Sequence, residues 1–351
     1  MTLKATTNWR FVAGAEVQSA IAEIWPVYNK KLNGGHPSID CRYLTLLYEY
    51  FGRGSELLAI SDDAVALLQS DGYGRWSTFL PSQSCVGTAL FSKSLASDDV
   101  SEICQSLSAA LPGRTTLVSF RKQDSRIAQL QPRHIIESFV TSTYGTTTDI
   151  DTSGSFEDYW QGRSKGLRQG MRRKIKRVEK DGLEFALSKC EQPGEMAAVL
   201  TEYAVLEMSG WKARSGTAIS GTNQQSRFYE ALMTTMSANG QAAAYQLILN
   251  NEVAASLLTI RENETMIVLK TAYRQSFSRF APGRLLDYLM LQDVFGDSRT
   301  MVIENYTVST MDDRRWCTGQ RDIIDWDFFP SRVVRELVCA SRRARSLLSR
   351  S

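Results

Sequence analysis

The chain has 351 residues, 43% hydrophobic and 23% charged, with a formal net charge of +3; this suits two globular domains better than one. No run approaches the roughly twenty apolar residues of a membrane span, and so small a net charge gives no global polyelectrolyte argument for nucleic acid. Six scattered cysteines without a CxxC pair, and two distant histidines, His36 and His134, argue against a disulfide framework and a zinc site. A Cys–His nucleophile pair stays open on spacing, although nothing favours it. Residues 1–14 contain no apolar h-region, so a reduced, cytoplasmic setting is the expectation.

In chain order, residues 15–25 place Val17, Ile21, Ile24 and Trp25 at helical spacing, and 43–51 read as a second helix. Runs 56–60 and 64–69 flank Ser61-Asp62-Asp63 as a hairpin. Further strands are predicted over 76–80, 86–91, 115–120 and 135–143. Ser97 caps a helix whose apolar face is Val100, Ile103, Leu107 and Leu111. The Gly/Ser/Thr-rich stretch 145–155 is taken as a loop and domain boundary.

Residues 156–181 read as one long helix with a basic surface (Arg168, Arg172, Arg173, Lys174, Lys176, Arg177, Lys180) that ends at Gly182. That surface is either a solvated face or a contact for an anionic partner. A strand at 183–187 and helices at 195–208 and 226–238 follow. Strands 243–249, 253–261 and 265–273 are joined by the polar turns Asn250-Asn251-Glu252 and Glu262-Asn263-Glu264, a β-meander. Strands close the chain at 301–306 and 321–329. The hairpin layout of 56–69 recurs over 246–260, a faint internal echo.

The organising stretch is 265–295. It reads as a strand apolar on both faces, an aperiodic loop, Pro282-Gly283, then a helix carrying Leu285, Leu286, Leu289 and Met290. Alternation puts Met266, Val268 and Lys270 on one side of the strand. Proline suits the first helical turn and glycine permits close approach to the backbone. The exposed N–H groups and dipole of such a helix start suit an anion, so Gly283, Arg284 and Leu285 are candidates to hold a pyrophosphate; an ordinary strand–loop–helix connection is the plain alternative.

The order meander, Pro-Gly helix, strand resembles the acyl-CoA N-acyltransferase (GNAT) superfamily. Within it the second half is similar to the cellulose-biosynthesis-type (CelD-like) acetyltransferases, themselves related to Fem-type transferases. Four stretches carry the likeness: GLRQGMRRKIKRVEKDG (166–182), GWKARSGTAISG (210–221), LKTAYRQSFSRFAPGRLL (269–286) and DDRRWCTGQRDIIDWDFF (312–329). The loop Arg279–Arg284 keeps one glycine of the superfamily pattern, Lys270 stands on a strand where many members carry an acid, and Arg314-Arg315-Trp316 replaces Tyr-Lys-aromatic.

The resemblance implies tandem GNAT-like α/β domains, each a mixed, mostly antiparallel sheet flanked by helices. These would be a degenerate 1–150, an active 151–335 and a basic tail 336–351. It implies acetyl-CoA or another acyl-CoA as co-substrate, no metal, and an amine acceptor that is a small molecule or saccharide, such as an amino sugar or polysaccharide precursor. CoA would lie along Leu269, Thr271, Phe280, Ala281, Gly283, Arg284 and Leu285, with a backbone N–H near Leu269 or Thr271 polarising the thioester. Glu304 is the candidate base and Tyr306 the candidate acid, placed on the strand beside the cleft. Glu207, Trp211, Lys212, Lys270 and Tyr273 are candidates for the acceptor side. Two rivals stand: a Fem-like transferase drawing on aminoacyl-tRNA, the one reading that involves nucleic acid, and an inactive binding module. The tail, mixing valine and leucine with arginine, is either a soluble terminal helix or a peripheral membrane contact.

Overall fold

In a computed structural model of the protein, the described residues are 8–32, 35–92, 97–127, 138–209 and 223–348. The first half contains β1 (Arg10–Ala13), α1 (Val17–Leu32), α2 (Cys41–Phe51), β2 (Leu57–Ile60), β3 (Ala64–Gly72), β4 (Arg75–Thr78), β5 (Ala89–Phe91), α3 (Ser97–Ala110), β6 (Leu117–Gln123) and β7 (Phe139–Asp151). The second contains α4 (Phe156–Gln161), α5 (Lys165–Lys180), β8 (Phe185–Cys190), α6 (Met196–Ser209), α7 (Gln224–Ser237), β9 (Ala242–Leu249), β10 (Glu252–Glu262), β11 (Thr265–Tyr273), α8 (Pro282–Phe295), β12 (Val302–Asn305), β13 (Gly319–Phe328) and α9 (Arg332–Leu348).

Two local expectations change. The stretch 145–155, expected as a loop, lies largely in β7, where Thr147–Ile150 are buried and Thr148–Asp151 pair antiparallel with β12. Threonine is β-branched and suits a strand, which outweighs the loop-like composition. The single helix expected over 156–181 is two. α4 stops at Gly162, and α5 restarts at Ser164, whose hydroxyl accepts from the Leu167 N–H as an N-cap.

The chain forms two compact units that interleave along the sequence. Unit 1 comprises residues 1–34, 51–145 and 322–351, and unit 2 comprises 35–50 and 146–321. Each is a mixed, mostly antiparallel sheet flanked by helices. In unit 1, β2, β3 and β4 form a meander, α3 intervenes, and β6 runs parallel to β4. The end of β13 then pairs antiparallel with β6. Val100, Ile103, Leu107 and Leu111 of the α3 segment pack on Leu68, Val118, Phe120 and Phe328.

Unit 2 repeats the pattern: β9, β10 and β11 form a meander, α8 intervenes, and β12 runs parallel to β11. Asn250 and Asn251 take positive φ of 50° and 65°, and Asn263 of 50°, which lets the two meander turns close tightly. Leu285, Leu286, Met290 and Val294 of α8 and Leu167, Met171 and Val178 of α5 cover Tyr245, Leu247, Ala255, Leu257 and Met266. A fully buried leucine such as Leu286 contributes on the order of 2 kcal/mol.

Candidate active site

The parallel β11–β12 pairing lasts three residues, Thr265–Ile267 against Val302–Glu304. β12 then ends at Asn305 while β11 runs on to Tyr273, so the two strands part. Beside that opening β11 carries a bulge. Leu258 pairs with Lys270 and Thr259 with Val268, leaving Leu269 as the extra residue. The bulge reverses the side-chain alternation that the sequence predicts. Val268 packs in the α8 cluster, whereas Lys270 meets Glu207 of α6.

β11 leads through the turn 275–280 to the start of α8. Ala281, a non-glycine residue, sits in the left-handed region at φ 52° and ψ 57°, and Pro282 opens the helix. The N–H groups of Arg284 and Leu285, expected as free phosphate donors, donate instead to the Ala281 carbonyl at 3.0 and 3.2 Å. Gly283 remains the open backbone position. A Cβ there would meet only the Tyr273 ring, at 4.0 Å, so the fold itself does not require glycine. The side chains of Phe280 and Leu285 point into the core. The Arg284 guanidinium is held by Asp287, Asp312 and Asp313 at 3.0, 2.8 and 3.0 Å. Burial outweighs that arginine at Asp287 and pushes its carboxyl up to about 6. α5 flanks the same turn: Arg177 donates to the Arg279 carbonyl at 2.7 Å, and Arg279 pairs with Asp181.

Around the end of β12 lies a buried polar cluster that the sequence did not suggest. The Glu304 carboxylate is ion-paired with Arg321 at 2.9 Å and lies 3.3 Å from His36 Nε2. The Tyr306 hydroxyl is 3.1 Å from the same Nε2, and Arg321 donates to it at 3.3 Å. The other arm of Arg321 reaches Asp149 of β7 at 3.3 Å. The close approach depends on Gly319, where a Cβ would fall 2.6 Å from an Asp149 carboxylate oxygen. Burial opposes ionisation of Glu304, but hydrogen bonds from His36 and Tyr306 and the charge of Arg321 prevail and hold its carboxyl at about 2.

His36 arrives from far upstream on a fixed turn. The Ser38 N–H donates to His36 Nδ1 at 3.2 Å, and Pro37 opens a 3-10 turn behind it. Asp40 then grips Arg42, which donates to Gln241 at 2.6 Å, and the Asn263 amide donates to the Gly35 carbonyl at 3.2 Å. With Nδ1 accepting from Ser38, a neutral imidazole carries its proton on Nε2, facing Glu304 and Tyr306.

Glu207 is buried, and one of its oxygens accepts from Lys270 Nζ at 3.1 Å and from the Tyr203 hydroxyl at 3.2 Å. The Lys270 ammonium lies 5.3 Å from the centre of the Tyr229 ring. Trp211 and Lys212 lie outside the described residues. Among the described residues no group of histidine, cysteine, aspartate and glutamate side chains could hold a metal ion, and no helix is long and apolar enough to cross a membrane. A small cavity of about 20 Å³ elsewhere in unit 2 includes Lys189, Tyr245, Arg261 and Asp297 in its lining but none of His36, Tyr306, Lys270 or Gly283.

A family profile described as an acetyltransferase (GNAT) domain matches residues 165–302. Among solved structures, the C-terminal domain of a putative lysylphosphatidylglycerol synthetase from Agrobacterium fabrum is similar at TM-score 0.55 and 10% identity, covering 92% of this chain and 96% of that one. L-PGS from Bacillus licheniformis is similar at TM-score 0.50 and 13% identity, covering 89% and 96%. FemX is similar at TM-score 0.53 and 8% identity, covering 94% and 99%. At such identities the likeness is one of fold. No curated protein sequence matches the chain. Residues 165–302 thus match a GNAT-type acetyltransferase domain profile, and the fold is similar to that of FemX.

Proposed function

We propose that the protein transfers an acyl group, acetyl in the simplest case, from a CoA thioester to an amine on a small molecule or saccharide such as an amino sugar or polysaccharide precursor. The observation that carries this reading is the parting of β11 from β12 beside the Leu269 bulge, with the cleft running toward Gly283. The residues present fit acyl-CoA: the cleft offers strand backbone to an extended amide-bearing chain, and a helix start that needs no glycine for its own fold carries one. Arg177 and Arg279 stand near that start. The CelD-like resemblance and the acetyltransferase profile support the same reading.

CoA when bound supplies a thioester carbonyl and a thiolate leaving group. The backbone around Leu269 and Thr271 hydrogen-bonds the pantetheine chain and polarises the carbonyl. As the N–C bond forms and the C–S bond breaks, the amine proton passes to water and the Tyr306 hydroxyl gives its proton to the sulfur. His36 Nε2–H and Arg321 then donate to the Tyr306 oxygen and stabilise the charge left on it. Glu304 fixes both donors. A carboxyl held at about 2 is too weak a base to deprotonate an amine at neutral pH, so Glu304 serves as a permanent anion rather than as the proton acceptor.

A calorimetric titration with acetyl-CoA tests the reading. The wild type is expected to bind at micromolar levels. Gly283→Glu is expected to stay folded and bind at least tenfold more weakly, because the space beyond Gly283 is open to the chain but needed by phosphate. No binding of acetyl-CoA, longer acyl-CoAs or free CoA would overturn it. The exposed basic side chains Arg172, Arg173, Lys176 and Lys180 of α5 favour a second reading, an aminoacyl-tRNA donor. Salt-sensitive retention of charged tRNA without any CoA binding would select that one.

A further inference from the structure

We propose that Lys174, Arg284 and Arg315 form a site for a phosphate group, with the Asp312 carboxylate as its displaceable internal occupant. The site lies within unit 2 and is built from α5, the first turn of α8 and the turn that carries Asp312 and Arg315. Asp312 gives one carboxylate oxygen to Arg284 at 2.8 Å and the other to Arg315 at 3.4 Å. Lys174 is half-buried beside them, and among the described residues its ammonium makes no hydrogen bond or ion pair. Burial and the charges of Arg315, Arg173 and Arg284 push that ammonium below the usual lysine range, and the charge of Asp312 opposes them. Arg284 stands in the first turn of α8, whose dipole also favours an anion.

The supply of oxygens points to the ligand. A carboxylate has two, both taken by the arginines, and the lysine is left with none. A phosphate has enough oxygens to meet all three cations and carries more charge. The other two acids on Arg284 are fixed. Asp287 belongs to α8 itself, and Asp313 accepts from the Thr310 N–H and hydroxyl at 2.9 and 2.7 Å. Asp312 has no such tie: its side chain is 46% exposed and its carboxylate pairs only with the two arginines among the described residues, so it is free to swing out. The tips of Arg315 and Lys174 lie over α5 where it carries glycine, 3.7 and 3.8 Å from a Cβ built at Gly166 and Gly170. Glycine weakens a helix interior, and here it keeps the floor beneath the cations low. Trp316, whose ring centre is 6.0 Å from the Arg284 guanidinium, holds a buried indole N–H without an acceptor. The neighbourhood thus has two donors in want of an acceptor, and one carboxylate that is easily displaced.

The test combines thermal melts of the full chain in phosphate or chloride at equal ionic strength with calorimetric titrations. The titrants are inorganic phosphate, acetyl-CoA, and acetyl-CoA lacking its ribose phosphate. Phosphate is expected to raise the Tm where chloride does not. Asp312→Asn is expected to bind phosphate about fivefold more tightly, because the internal competitor is gone. Lys174→Gln is expected to bind it at least tenfold more weakly. The same variant is expected to melt no lower than wild type, since it removes a half-buried charge that has no partner. If loss of the ribose phosphate weakens acetyl-CoA binding in wild type but not in Lys174→Gln, the site takes the donor's phosphate. Equal affinity for both CoA forms, with the response to inorganic phosphate intact, assigns the site to free phosphate or a phosphorylated acceptor. Phosphate binding in a protein that takes up no form of CoA keeps this site and removes the acyl-CoA reading. No response to any of these probes overturns the proposal. So does an Asp312→Asn variant that melts lower without binding phosphate more tightly, which would make the ion pairs a structural lock.

Discussion

Glu304 is a buried carboxylate whose oxygen is shared by a guanidinium and an imidazole, so its charge belongs to the native structure itself. Its folded pKa, about 2, lies below the roughly 4.3 of an unfolded glutamate, so its contribution is fully present above about pH 4 and is lost as pH falls through about 2. The difference corresponds to about 3 kcal/mol. Glu304→Gln is therefore expected to lower unfolding free energy by up to about 3 kcal/mol at pH 7 and by far less near about pH 2.5. Urea denaturation at the two pH values measures this, and equal deficits would refute it. Tyr306→Phe is expected to reduce kcat on the order of 100-fold, and His36→Ala roughly tenfold, with acetyl-CoA affinity unchanged. Steady-state kinetics with an amine acceptor checks both; loss of affinity without loss of kcat would move these residues out of the proton path.

At the scale of elements, one inserted residue in β11 governs the cleft. The bulge at Leu269 turns Val268 and Lys270 to different faces, sends Lys270 to Glu207, and returns Thr271 and Tyr273 to the side of the Pro282 helix. The same strand outlasts its parallel partner by six residues, from Val268 to Tyr273. Gly283 belongs to this scale as well. A residue that neither backbone conformation nor packing demands costs helix stability of about 1 kcal/mol relative to alanine, and close approach of a ligand gives it a reason. The Gly283→Glu titration therefore reads ligand binding without confusing it with folding.

At the scale of the whole molecule, the units interleave along the chain. β13 begins in unit 2, and its later residues complete the unit 1 sheet beside β6, where Phe328 is fully buried among Phe91, Phe120 and Phe139. A fragment of residues 1–150, which a contiguous division would treat as a domain, lacks that strand and leaves the β6 edge unpaired. It is expected to aggregate or remain unfolded, as read by circular dichroism and light scattering. A monomeric fragment with a cooperative melt would show that β13 is dispensable to unit 1.

The sequence by itself determined whatever depends on neighbours along the chain. The meander over β9–β11 was legible because alternating apolar runs meet at asparagine turns that tolerate positive φ. The α8 start was legible because proline fixes φ and glycine follows it, and the apolar faces of α3 and α5 were legible from their 3.6-residue period. The GNAT-type order of these elements followed. Only the tertiary structure decided what depends on distance along the chain. His36 and Glu304 are separated by 268 residues, and no periodicity or spacing joins them; a turn pinned by Arg42, Gln241 and Asn263 brings the imidazole to the carboxylate. The bulge at Leu269 was likewise hidden, because a register slip is set by the hydrogen bonds of the neighbouring strand. Residues 145–155 looked like a linker because threonine and glycine are common in loops; burial against β12 made them a strand.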